Sequence, residues 1–105
     1  MNRINDILET EYSKRFDELR RNMMVMSYYK YGPIKKNYKI VKTINSIGSL
    51  EKRLDCYKRT GNTELLADIA NFAMIEFMYP QHEKAHYDAT DGKYKIDGFG
   101  VNEIN

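Results

Sequence analysis

The sequence holds one cysteine and two prolines, and it has no apolar run long enough to span a bilayer. The single thiol, Cys56, excludes an internal disulfide and suits a reducing compartment, so a cytoplasmic location is expected. Scarce proline and six methionines suit a helical chain. The opening residues, MNRINDILETEY, are acidic and amphipathic, without the apolar centre of a signal peptide. No internal repeat, low-complexity tract or glycine-rich phosphate loop occurs. Acidic residues are missing altogether between Glu18 and Glu51.

What is present fits one small domain. The 105 residues are 42% hydrophobic and 30% charged, enough for a single modest core. The net charge of +2 conceals a polarity. The acid-free interval carries Arg20, Arg21, Lys30, Lys35, Lys36, Lys39 and Lys42. From Thr60 onward, eight acids face three lysines. A positive end attracts phosphates or acidic protein surfaces, and a solvated helix face explains the same pattern with no partner.

Hydrophobic spacing divides the chain into three principal helices. Ile4, Ile7, Leu8, Tyr12, Phe16, Leu19 and Met23 recur at three- and four-residue steps, which predicts a helix from about Asn5 to Met26. Gly32-Pro33 breaks it, and the chain near Tyr31 is expected to be extended ahead of the proline. Ile40, Ile44, Ile47, Leu50, Leu54 and Tyr57 predict a second helix, from Asn37 or Tyr38 to Arg59. Gly48 inside it suggests a close crossing or a bend. Gly61 suits a left-handed C-cap, and Asn62 or Thr63 an N-cap, so the third helix returns antiparallel. That third helix, in NTELLADIANFAMIEFMYP, is polar between Ile69 and Met78 only at Asn71 and Glu76. It is expected to be buried on nearly every side. A glutamate at position 76 then needs a partner, with Arg20, Arg21 or a tyrosine hydroxyl as candidates. The fold expected is an all-α bundle over residues 1–80 with an irregular tail over 81–105.

Three groups of residues can carry chemistry. In SYYKYGPIKKNY, Tyr28, Tyr29, Tyr31 and Tyr38 alternate with Lys30, Lys35, Lys36 and Lys39. Aromatic faces among cations hold single-stranded nucleic acid or a nucleotide base. The competing reading, placed first for want of a nucleic-acid motif, packs the tyrosines into a helix joint. The second group arises when the chain folds back about Gly61. Asp55 then comes level with Asp68, Glu51 with Asn71, and Glu64 lies near the turn. Facing carboxylates suit Mg²⁺ or Mn²⁺ with a phosphate ligand, although structural salt bridges to neighbouring bases fit the pattern better. The third is His82-Glu83-Lys84-Ala85-His86, which matches H-E-x-x-H. It directly follows a helix end and has no obvious third ligand among Asp88, Asp91 and Glu103, so a chance match is expected.

Two resemblances bear on function. Glu51 and Asp55, followed by ELLADIANFAMI with Glu64 and Asp68, resemble the acidic motifs of the all-α MazG-like nucleoside triphosphate pyrophosphohydrolases. In that group the acids bind Mg²⁺, but its first motif is a denser glutamate pair than the one present. Across most of the chain, YYKYGPIKKNY, SLEKRL, GNTELLADIANFAMIEFMYPQH and AHYDATD look like short proteins of bacterial phages and mobile elements. That resemblance implies a context of anti-CRISPR-like binding proteins. The leading expectation is therefore a non-catalytic inhibitor of a host defence nuclease or nucleoprotein effector, with no cofactor. Its contacts would come from the Lys/Tyr segment, touching nucleic-acid phosphates, and from His82, His86, Asp88 and Asp91 of the acidic end. The alternatives are the Mg²⁺-dependent hydrolase and a plain nucleic-acid binder. A homodimer completing the core, and no membrane partner, belong to the same expectation.

Overall fold

A computed structural model describes residues 3–42 and 44–90. Among them the fold is all-α, with no strand. Four α-helices and one π-helical segment follow in order: α1 (Arg3–Glu11), α2 (Lys14–Tyr31), the π-helical segment (Lys35–Ile40), α3 (Ser46–Thr60) and α4 (Glu64–Met78). No helix among the described residues is long and apolar enough to cross a membrane.

The expected first helix is two helices. Ser13 leaves helical conformation at φ −114°, ψ 106°, and its Oγ accepts from the Phe16 amide at 3.0 Å. A serine with a free choice of backbone prefers this capping role to a place mid-helix. Hydrophobic spacing cannot register the break, because the apolar stripe continues across it. α2 then outruns its predicted end. Tyr31 is still helical, and the departure falls on Gly32, at φ 82°, whose amide caps Tyr28 O at 2.8 Å.

The expected second helix also divides. The π-helical segment closes with the Val41 amide on Lys36 O at 2.9 Å, and Lys42 follows in left-handed conformation at φ 55°. Asn45 restarts the chain as N-cap of α3, with its Oδ1 accepting from the Gly48 amide at 3.0 Å. This explains Gly48. A Cβ at that position would lie 2.9 Å from Asn45 Nδ2, so the glycine makes room for the cap. Neither a helix crossing nor a bend is the cause.

The α3–α4 turn follows the expectation closely. Gly61 takes the left-handed position at φ 72° and its amide reaches Tyr57 O at 2.7 Å. Asn62 caps the next helix by accepting from the Glu64 amide at 3.1 Å. α4 packs against α3 and α2. Its packed line is Ala67, Asn71 and Ile75, at helical spacing, and Tyr38 and Ser46 are buried as well.

α4 is nevertheless not enclosed. Phe77 and Met78 are 77% and 47% exposed. Two neighbouring helices cover at most part of a rod's circumference, so an apolar helix retains an open face. The same shortage affects the N-terminal stripe: Ile7, Leu8, Tyr12 and Leu19 are exposed, and α1 has no buried residue.

Candidate functional site

The Tyr/Lys segment spans the end of α2, the Gly32-Pro33 break and the π-helical segment. Asn37 Nδ2 donates to Tyr31 O at 3.1 Å and ties the far side of the break to the end of α2. Tyr29, Tyr31 and Tyr28 are 83%, 67% and 55% exposed, and Lys30, Lys35, Lys36 and Lys39 are exposed beside them. The rings of Tyr28 and Tyr29 meet edge to face, with centroids 5.7 Å apart at 88°. Lys39 Nζ lies 6.0 Å from the centroid of the Tyr79 ring. Only Tyr38 packs the joint, and burial pushes its phenol pKa up. The expectation that all four tyrosines fill the joint therefore fails for three. Tyr28 and Tyr29, lying on an 18-residue helix whose inward line is Arg20, Met23, Met24 and Ser27, fall on the solvent side.

The carboxylates do not converge as the hairpin suggested. Asp68 pairs with Arg53, not with a second acid. The Arg53 guanidinium also donates to Ser49 O at 3.1 Å and covers the Phe72 ring at 4.5 Å. Asp55 is exposed on α3, as are Glu51 and Glu64. The physical reason is rotation: two residues along a helix turn a side chain by about 200°, so Arg53 faces α4 where Asp55 does not. Level matching of residues across a hairpin ignores this. Among the described residues, no group of three His, Cys, Asp or Glu side chains is placed to hold a metal ion.

His82 opens a turn closed by the Ala85 amide on His82 O at 3.2 Å, and His86 follows it; neither is on a helix. His82 Nδ1 accepts from the Lys84 amide at 2.9 Å, and His86 Nδ1 donates to Lys84 O at 2.8 Å. Both rings engage local backbone, and no helix brings them onto one face. Asp88 is exposed, and Asp91, like Glu103, lies outside the described residues.

The polar residues of α4 find partners. Asn71, 3% exposed, donates from Nδ2 to Arg20 O at 2.9 Å, and Arg20 Nη1 approaches its Oδ1 at 3.5 Å. Neither Arg20, Arg21 nor a tyrosine hydroxyl is the partner of Glu76, which accepts from the Ser46 hydroxyl and, at 2.8 Å, from the Gln81 amide. Sequence reading missed Ser46 and Arg53. Ser46 carried no signal beyond lying next to an N-cap asparagine.

An open groove of about 670 Å³ lies where α2, α3 and α4 meet, walled by Leu19, Met23, Met26, Tyr31, Ile44 and Phe72 among others. No family model, curated protein or solved structure matches the chain.

Proposed function

We propose that this chain is a small non-catalytic binding protein that engages single-stranded nucleic acid displayed by a nucleoprotein effector, and so inhibits it. The anti-CRISPR-like context suggested by the sequence texture is the setting for that reading. One observation carries it: Tyr28, Tyr29 and Tyr31 are exposed beside Lys30, Lys35 and Lys36, in an interval without acids. Stacking of a base on an exposed aromatic contributes about 1–3 kcal/mol and needs no particular base. Lysines beside the rings meet the phosphates. Exposed tyrosines that served only to fill a helix joint would be covered, and these are not. The hydrolase alternative gains no comparable observation, since Asp68 is held by Arg53.

The test is a fluorescence-anisotropy titration with labelled single-stranded DNA and RNA at several salt concentrations. The same protein is added to cleavage reactions of RNA-guided and other defence nucleases. Affinity should fall steeply with salt. Lys35→Ala with Lys36→Ala should flatten the log–log slope by about 1.4, at roughly 0.7 per phosphate contact on single strands. Tyr29→Ala should weaken binding about fivefold or more without changing the slope. Binding that ignores salt, or no binding and no inhibition of any nuclease, overturns the reading.

A further inference from the structure

The groove between α2, α3 and α4 differs in charge from the Tyr/Lys surface beside it. Lys30 and Arg53 line it, but so do Glu64 and Asp68, so its cations and acids balance. A phosphate finds no net attraction there. A neutral planar group with polar edges enters without that handicap. One flat platform for such a group is already built. The Arg53 guanidinium lies over the Phe72 ring at 4.5 Å, and its bonds to Asp68 and Ser49 O fix its plane. Arg53 and Phe72 both line the groove, and the Arg53 side chain is still 35% exposed. Guanidinium planes, like aromatic rings, stack unpaired bases. An acceptor stands close by. Glu64 lies one helical turn before Asp68 on the same face of α4, with Cβ atoms about 5–6 Å apart. It is exposed and lines the groove, and among the described residues no ion pair or hydrogen bond engages its carboxylate. Asp68, by contrast, is taken by Arg53. Lys30 and Tyr31 belong both to this groove and to the exposed Tyr/Lys surface, so the two are continuous.

We infer that the groove takes one unstacked guanine of the bound strand. The base lies on the Arg53 guanidinium, its N1–H and N2–H donate to the Glu64 carboxylate, and the flanking phosphates stay outside with Lys30, Lys35 and Lys36. Guanine follows from the acceptor. An ionised carboxylate only accepts. The Watson–Crick edge of guanine sets two donors side by side, and two parallel bonds to one carboxylate make a bidentate pair. Adenine and cytosine place an acceptor nitrogen beside their one amino group, and thymine and uracil flank a single N–H with carbonyls. Each of these sets an acceptor against the carboxylate, and a site built on such hydrogen bonds rejects a partner that leaves them unmade. Stacking on the exposed tyrosines is indifferent to the base, so the groove adds a preference at one position of the strand. This assignment rests on the nucleic-acid reading and deepens it by naming the base.

Fluorescence anisotropy of the full chain tests it, with labelled short thymine strands that carry guanine, hypoxanthine, adenine or cytosine at one central position. The guanine strand should bind at least about tenfold more tightly than the all-thymine, adenine and cytosine strands. Hypoxanthine keeps N1–H but lacks the N2 amino group, so its strand should fall between them. Glu64→Gln replaces one acceptor oxygen with a donor and should cut the guanine preference below about threefold, with all-thymine affinity changed by no more than about twofold. Glu64 is exposed, so circular dichroism should show unchanged helicity in this variant. Arg53→Lys keeps a cation opposite Asp68 but removes the plane, and it should weaken the guanine strand more than the all-thymine strand. Strands that all bind with equal affinity overturn the inference and leave the nucleic-acid reading standing. A guanine preference that survives Glu64→Gln also overturns it. No binding of any strand overturns the nucleic-acid reading and the inference with it.

Discussion

The link between Ser46 and Glu76 joins α3 to α4, as the Arg53–Asp68 pair does. Ser46 is fully buried, and its hydroxyl donates to Glu76 Oε1 across thirty residues of chain. A hydrogen bond to a charged acceptor contributes about 1.5–3 kcal/mol. Glu76 is only half-buried and keeps its bond from the Gln81 amide, so the carboxylate is not orphaned when Ser46 is removed. Ser46→Ala should therefore cost about 1.5–2 kcal/mol, the lower part of that range. For a domain of this size, that lowers Tm by roughly 6–16 °C. Glu76→Gln retains an oxygen acceptor and should cost about half as much. The assay is urea unfolding, followed by circular dichroism, of Ser46→Ala, Glu76→Ala and the double variant. Their coupling energy should exceed about 1 kcal/mol, the scale of residues that share one hydrogen bond. Coupling below about 0.5 kcal/mol, the level of independent sites, would refute the assignment.

Tyr12 and Asp17 offer a test through pH. The hydrogen bond between them holds the Asp17 carboxyl below its usual range, with the Arg20 guanidinium adding to the effect, and raises the Tyr12 phenol. The lowered Asp17 value adds stability above the ordinary carboxylate pKa, lost as pH falls through the folded value. The raised Tyr12 value adds stability below the ordinary phenol pKa, lost as pH rises through the folded value. The urea midpoints of wild type and Tyr12→Phe should thus differ most between about pH 5 and pH 9 and converge toward both extremes; a constant difference at all pH values contradicts this. Gly48→Ala sets two terms against each other. Alanine gains about 0.5–1 kcal/mol in a helix interior, but here its Cβ displaces the Asn45 cap, worth about 1 kcal/mol. The change should be near neutral in wild type and stabilising on an Asn45→Ala background. Thermal denaturation of the four proteins reads this directly, and a full gain in wild type would refute it.

Local signals in the chain were legible because they depend on few residues. Gly61 and Asn62 announced the α3–α4 turn, and the geometry there is what a left-handed glycine and an asparagine cap require. Gly32-Pro33 marked the break after α2, although the helix runs on to Tyr31, five residues past the end that the apolar spacing suggested. The breaks at Ser13 and ahead of the Asn45 cap were not legible in the same way. The apolar stripes run through both, and the cue at the first is one serine whose cap depends on how the chain enters α2. The candidate sites divide similarly. The cations and rings of the Tyr/Lys segment were evident, but which rings face outward depends on which face of α2 meets α4. The partner of Asp68 likewise depends on the rotation of α3, and Arg53 wins over Asp55 for that reason.

Composition and spacing, by themselves, determined the helical class, the antiparallel return at Gly61 and the acid-free basic interval. Each follows from backbone preference or charge count within a short window. Tertiary structure alone decided that α4 buries one line of residues instead of its whole circumference, that Ser46 and not Arg20 meets Glu76, and that three tyrosines are exposed. Those outcomes turn on how many neighbours a helix has and how each is rotated about its axis. Both are collective properties of packing, which no single segment encodes.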